Sequence, residues 1–435
     1  MKTGFILKGD IVYSENMKTL SAHKDSFLLC CSGISMGVFE RFEDIPPEAK
    51  GFEIKDFSGM LIIPGMVDLH IHGPQFGFRG TGMDLELIPW LQRYTFPEEK
   101  KFEDPEYAEK SYALFADSMR KSATTRALIF ATVHRKSTEI LMDLMESSGL
   151  ISYVGKINMD RESVEGLQES SFLDSAFNTF GWINDIAGRY KKTKPILTPR
   201  FIPSCSNELL NELHEIVLAY GTPVQSHLSE NPDEIDWVKK LCPGTDFYAQ
   251  AYDSFGLFGS LSKTVMAHCI YSGEEERSLI KKNGVFVAHC PSSNMNLSSG
   301  IAPIREYLEA GIKVGLGTDV AGGESESMFK EIVAAVQASK LYRRLKNSSA
   351  EALSFPEAFY LATLGGGEFF GKVGSFEEGY EFDALVIDDL SLPPPYCMTP
   401  EERLERAVYL SMDLIAIKAK FVRGEQCRLQ KEESQ

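Results

Sequence analysis

Two histidines stand two residues apart in Asp68-Leu69-His70-Ile71-His72, behind the apolar run Leu61-Ile62-Ile63. Side chains on a strand alternate between its faces, so His70 and His72 point the same way and their ring nitrogens can grip one ion. The chain has eight histidines. Four others close strand-like runs: His134 after LIFATV, His227 after PVQS, His268 after TVMA and His289 after VFVA. The run GIKVGLGTDVAGG carries Asp319 to a similar place. A carboxylate there can ligate a divalent cation or take a proton from water bound to it.

His70, His72, His227 and Asp319 form the best ligand set, three imidazoles and a carboxylate, which suits one zinc ion with a position left open for water; iron(II) is the alternative. Such an ion lowers the pKa of its water to about 7 and makes hydroxide available near neutral pH. Glu230, three residues after His227 in HLSE, is placed to curl back over the ion and carry protons between that water and a substrate. His268 belongs to the same site, as a further ligand or as a hydrogen-bond partner of the water. His134 and His289 read as supporting or core residues, and His23 and His214 as surface ones. The fourth strand, KPILTPRF, ends in Arg200 and Phe201, without the lysine that bridges two metals in dinuclear hydrolases. A single ion is therefore expected. A different zinc-site pattern, H-x-E with P-C-x-x-C, is absent.

Ligands at successive strand ends suggest a barrel, with an open doubly wound sheet as the runner-up. Eight strand candidates run through the middle of the chain: GMVDLHIH, TTRALIFATVH, ISYVGKINM, KPILTPRF, TPVQSHLSE, KTVMAHCI, GVFVAHCP and IKVGLGTDV. Most are separated by amphipathic helical stretches such as NELLNELHEIVLAYG and SGEEERSLIKKNG. That alternation predicts an α/β chain folded as a (β/α)8 TIM-like barrel, whose working residues sit at the carboxyl ends of the strands. The first sixty or so residues read as short strands and turns, and so do DALVIDD, AVYL and AIKAKFVRGEQ near the other end. The expected organisation is a composite small β-sandwich from residues 1–63 and 375–435, and a barrel over 64–374. No Gly-rich dinucleotide fingerprint follows any of the strands; Gly365-Gly366-Gly367 follows a helix, and Pro393-Pro394-Pro395 reads as a stiff turn.

The 435 residues are 43% hydrophobic and 25% charged, with a formal net charge of -17. The acidic excess argues against a nucleic-acid surface, which needs clustered Lys and Arg. No apolar run is long enough to span a bilayer and no secretory signal is evident, so a soluble cytoplasmic protein is expected. The eight cysteines show no C-x-x-C pair and are expected as free thiols.

With these motifs in order, the chain resembles the guanine deaminases of the amidohydrolase superfamily. The resemblance rests on PGMVDLHIHGPQFGF, WLQRYTFPEE, FATVH, PILTPRF, QSHLSEN, TVMAHCIYS, AHCPSSNMNLSSG, VGLGTDVAGG and FYLATLGG, and covers almost the whole chain. It implies that His70, His72, His227 and Asp319 hold zinc, that His268 lies beside the ion and that Glu230 shuttles protons. It also implies substrate contacts at Gln75, Arg200 and Phe201, with His72, His227, Glu230 and Asp319 facing the substrate too. A purine fits that set: Gln75 offers a donor and an acceptor, Arg200 a cation for an exocyclic carbonyl, and Phe201 a flat apolar surface. The implied reaction is hydrolysis of guanine to xanthine and ammonia in a homodimer. Rival readings are a deaminase of another amino-substituted heterocycle, such as an oxidised purine, pterin, triazine or adenosine derivative, a cyclic-amide hydrolase with two metals, and a metal-free barrel scaffold. Glu324, after DVAGG, departs from the family and is expected to alter a loop over the pocket.

Overall fold

The computed structural model describes residues 3–389, 396–414 and 416–429. The Pro393-Pro394-Pro395 turn lies outside the described residues. Alternating strands and helices fill the middle of the chain. The strands are β5 (Met66–His72), β6 (Thr124–Phe130), β7 (Ile151–Gly155), β8 (Ile157–Asn158), β9 (Thr193–Pro195), β10 (Thr198–Pro199), β11 (Val224–Leu228), β12 (Thr264–His268), β13 (Phe286–His289) and β14 (Val314–Leu316).

These strands pair in parallel, in the orders β5-β6-β7-β9, β8-β10 and β11-β12-β13-β14. Every residue of β5 and β6 is buried, as expected of parallel strands covered on both faces. Backbone hydrogen bonds join the ladders: Gln225 N–H donates to Leu197 O at 2.9 Å, and Asp319 N–H donates to His70 O at 2.8 Å. Gly317 makes the second junction close, because a Cβ there would meet His70 Cβ at 2.8 Å. Gly366 has a packing role of the same kind, its Cα only 2.8 Å from where a Cβ on Gly315 would sit.

Helices separate the strands where the apolar periodicity predicts them. Asn207–Tyr220 starts on the Ser206 side chain, which accepts from Leu209 N–H, and ends at the left-handed Gly221. Among the described residues no helix is long and apolar enough to cross a membrane.

Both ends of the chain build one seven-stranded mixed sheet. Its members are β1 (Gly4–Ser14), β2 (Leu20–Cys31), β3 (Ile34–Phe39), β4 (Glu53–Pro64), β15 (Ala384–Asp388), β16 (Ala416–Val422) and β17 (Glu425–Gln426), in the order β17-β16-β15-β4-β1-β2-β3. GFILKG and DIVYS, expected as separate strands, are one strand with a pairing irregularity between Gly9 and Ile11. AVYL is not a strand but lies in the helix Pro400–Leu414: Leu404, Ala407 and Val408 are buried at i, i+3, i+4 spacing, which is one helix face.

Two buried cations tie the sheet to the parallel strands. Arg126 of β6 donates to both oxygens of Asp383, at 2.7 and 3.2 Å, and to Glu381 at 2.8 Å. Lys420 of β16 donates to the carbonyls of Met119, Arg120 and Ser122 at 3.1, 3.2 and 3.1 Å, where the helix Pro105–Lys121 ends. All eight cysteines are free thiols, and Cys269 and Cys290 are fully buried.

Candidate active site

The carboxyl ends of β5, β11 and β12 and the turn after β14 bring five ligand-type side chains to one point. His70 Nε2 lies 3.2 Å from His72 Nε2, which lies 3.3 Å from His227 Nε2. Asp319 Oδ1 is 3.1 Å from His70 Nε2 and 3.3 Å from His72 Nε2. His268 Nε2 is 3.7 Å from Asp319 Oδ2. The donor atoms of His70, His227 and His268, and those of His70, His72 and Asp319, each fall within 4.8 Å of one another.

Hydrogen bonds set the tautomers of two rings. His227 Nδ1 lies 2.6 Å from the Arg200 carbonyl, which can only accept, so the proton is on Nδ1 and the Nε2 lone pair faces the other rings. His268 Nδ1 donates to Asn294 Oδ1 at 2.9 Å, freeing its Nε2 in the same way. Burial holds His70 below the usual histidine range, His72 at about 4 and His227 well below it, so these rings are neutral. Burial pushes the Asp319 carboxyl up, but the His70 and His72 rings within 3.3 Å of it outweigh that, leaving Asp319 well below its ordinary value. Converging neutral imidazole nitrogens around one ionised carboxylate fit a divalent cation, which supplies the positive charge the lone pairs lack.

The backbone that delivers these groups is bent. Ser229, His268, Cys269 and Asp319 all have left-handed φ, at 48°, 70°, 49° and 47°. Such corners cost about 1–3 kcal/mol each outside glycine and cluster where a site needs a side chain re-aimed. At Ser229 the chain turns Glu230 back so that its Oε2 comes within 3.4 Å of His268 Nε2. Ser299 Oγ donates to the other Glu230 oxygen at 3.2 Å, and Glu230 N–H donates to Glu234 at 3.1 Å. Burial first, and the neighbouring Asp319 charge second, push the Glu230 carboxyl up to about 8. Asp68, below the ring, accepts from His70 N–H and from Thr318 N–H and hydroxyl, which locks β5 to the loop carrying Asp319.

A cavity opens over this cluster. His72, Gln75, Arg200, Phe201, His227, Glu230, His268 and Asp319 all line it, and His70 sits beneath. Phe201 is held edge-on against Trp237, with ring centroids 5.7 Å apart. Gln75 is already engaged on both sides: its Oε1 accepts from Ala321 N–H at 3.1 Å with one lone pair, which fixes the orientation of the amide. Its Nε2 donates to Glu99 at 2.9 Å, and Arg200 pairs with the other oxygen of the same carboxylate.

Three further expectations change. His134 does not close a strand, because β6 ends at Phe130 and His134 precedes the helix Arg135–Ser148. His23 and His214 are half-buried, not surface residues. His289 ends β13 as expected and is a core residue, buried outside the cavity lining, with its pKa pushed down by burial to about 3. Glu324 is bound to Asn296 and Lys330, away from the cavity.

Sequence reasoning missed Glu99, Glu234, Leu297 and the segment Leu87, Ile88, Trp90 and Leu91 that roofs the cavity. The motif WLQRYTFPEE contains three of them, but no periodicity assigns a role to a single position within it.

Comparison with known proteins agrees with this geometry. The amidohydrolase family pattern matches residues 61–424. The guanine deaminase of Dictyostelium discoideum is 38% identical over 366 residues, 82% of this chain and 80% of that protein. The Homo sapiens guanine deaminase is 39% identical over 351 residues, 80% of this chain and 77% of that protein. The crystal structure of guanine deaminase from C. acetobutylicum with guanine bound in its active site superposes with a TM-score of 0.94 at 46% identity, covering 98% of this chain and all of that one. That of E. coli gives 0.84 at 30% identity, covering 99% of this chain and all of that one. The fold is thus a TIM-barrel-like α/β fold, and the chain belongs to the amidohydrolase family, within its group of guanine deaminases.

Proposed function

We propose that this chain hydrolyses guanine to xanthine and ammonia, an activity placed in purine catabolism or salvage. The observation that carries the reading is the buried Glu230 carboxyl held 3.4 Å from His268 beside a buried His/Asp ring, at the floor of a cavity whose walls carry the donors Gln75 and Arg200. We assign His70, His72, His227 and Asp319 as the residues that hold one zinc per chain, with iron(II) as the alternative and His268 beside the ion. When bound, such an ion supplies Lewis acidity, lowering the pKa of water to about 7.

The protein's own groups do the rest. Asp319, kept ionised, draws a proton from the water that adds to the carbon bearing the exocyclic amine. Glu230 gives its proton to the adjacent ring nitrogen, is recharged from the same water, protonates the amine as the carbon–nitrogen bond breaks and ammonia leaves, and regains the proton drawn off by Asp319, so that both carboxyls return to their starting states. His268, its proton held on Nδ1 by Asn294, directs the Nε2 lone pair at the water. Phe201 covers one face of the ring, and Arg200 and Gln75 hold its far edge.

The same reading takes the parallel strands as a closed (β/α)8 barrel over residues 64–374, supported by the hydrogen bonds from the turn after β14 to β5. Residues 1–63 and 375–435 form the small β-sandwich domain, supported by apolar clusters around Leu7 and Phe421 and around Ile6 and Leu29. A cytoplasmic homodimer completes it. The test is purified protein of known metal content mixed with guanine, with Glu230→Gln beside it. Xanthine and ammonia from the wild type, and a variant slowed about 100-fold or more with its metal retained, are expected. Metal-loaded wild type that leaves guanine intact, but removes the amine of a pterin or triazine, refutes the substrate assignment.

A further inference from the structure

Glu99 touches none of the ring of ligand-type residues, yet it is buried at 1% exposure and both of its oxygens are engaged by cavity-lining side chains. One accepts from Gln75 Nε2 and the other pairs with Arg200 Nη1. The three residues come from separate places: Gln75 follows β5, Arg200 follows β10, and Glu99 lies in the short helix Phe96–Lys100. Phe96, from the same turn, packs its ring 5.4 Å from the Arg200 guanidinium.

We infer that Glu99 is a positioning residue that lines the far edge of the cavity with donors, from Gln75 and Arg200, and so selects a purine with acceptor atoms there. This rests on the guanine reading above. A glutamine amide can face either way, but here one orientation is enforced. Turned over, Gln75 would set Nε2 against the Ala321 N–H and Oε1 against the Glu99 carboxylate, like against like at both ends. In the enforced orientation Oε1 is turned to the Ala321 N–H and one N–H to Glu99, and the second N–H on the Glu99 side remains as a donor for a ligand. Arg200 is donor-only by nature, and Glu99 balances its charge in a buried place, so the edge accepts a neutral ring. A carbonyl oxygen or an unprotonated ring nitrogen satisfies these donors. An amino group at that position meets them donor to donor, and a site built on hydrogen bonds rejects such a mismatch strongly.

Glu99→Gln breaks the arrangement without removing bulk. The new amide has one oxygen where two were needed, so its nitrogen confronts either Gln75 or Arg200, and Gln75 is free to turn and show its oxygen. The probes are guanine and 2,6-diaminopurine, which carry the same reacting amine and differ at the far edge, carbonyl against amino. The expected result is a guanine to 2,6-diaminopurine ratio of kcat/KM that falls at least tenfold from wild type to Glu99→Gln. Guanine KM should rise tenfold or more while kcat stays within a few-fold, because the reacting centre is untouched. Glu99→Asp, which keeps the charge but is too short to reach both partners, gives the same direction and serves where Glu99→Gln does not fold. An unchanged ratio with guanine turnover intact in the wild type overturns this inference alone, as does failure of both variants to fold, which would make Glu99 a core residue only. Absence of guanine turnover in the wild type overturns the functional reading and this inference with it.

Discussion

Lys420 gives the sharpest stability test. Its ammonium is fully buried in β16 and faces three carbonyls where the helix Pro105–Lys121 ends. Burial pushes its pKa down from 10.5 to about 7. Between about pH 7 and 10.5 the unfolded chain therefore binds this proton and the folded chain does not. Stability must rise with pH through that window, and the full burial penalty stands below it. With these two values the gain from pH 7.5 to 9.5 is about 2.5 kcal/mol, at about 1.4 kcal/mol per unit of pH at most. Lys420→Met abolishes this contribution. It also leaves the three carbonyls without their donor, a cost of about 1–3 kcal/mol for each that water cannot reach. Urea unfolding of both proteins at pH 7.5, 8.5 and 9.5 isolates the term, since every other titrating group is common to the two. The wild-type advantage should widen by on the order of 2–3 kcal/mol across the series. An advantage that stays constant to within about 0.5 kcal/mol would refute the reasoning, and would mean that three carbonyls at the negative end of a helix offset the burial completely.

Two other substitutions probe the body and the site. Arg126→Met strands the fully buried Asp383 carboxylate and should cost about 3–5 kcal/mol in denaturant unfolding; a loss under about 1 kcal/mol would show that the pair does not bind the sheet to the parallel strands. Asn294→Leu removes the acceptor that fixes the His268 tautomer and should lower kcat/KM or metal affinity about 10–100-fold with the melting temperature little changed; turnover and metal content both kept within twofold would contradict that role.

What could be read from residues alone followed from periodicity. β5, β12 and β13 are short, buried and end in histidine, and β11 carries His227 one residue before its end, so the alternation that marks a strand also locates the side chains at its close. His134 failed the same rule because Ala131, Thr132 and Val133 are buried outside any strand, and buried coil looks like strand in a sequence. AVYL failed because four residues are too few to separate a period of two from one of 3.6. Glu99 was out of reach for a different reason. Its partners lie 24 and 101 residues away, and no local pattern encodes a carboxylate shared between them.

Arg200 is bound in two directions at once. Its carbonyl fixes the proton of His227, and its guanidinium stands in the cavity beside Glu99. Ion retention and purine choice are therefore not separate design variables in this protein. Any change in the length or path of the turn after β10, made to admit a larger ring, shifts the carbonyl together with the side chain. Redesign for a new heterocycle is better begun at Phe201 or Leu87, which line the same space without holding a ligand ring.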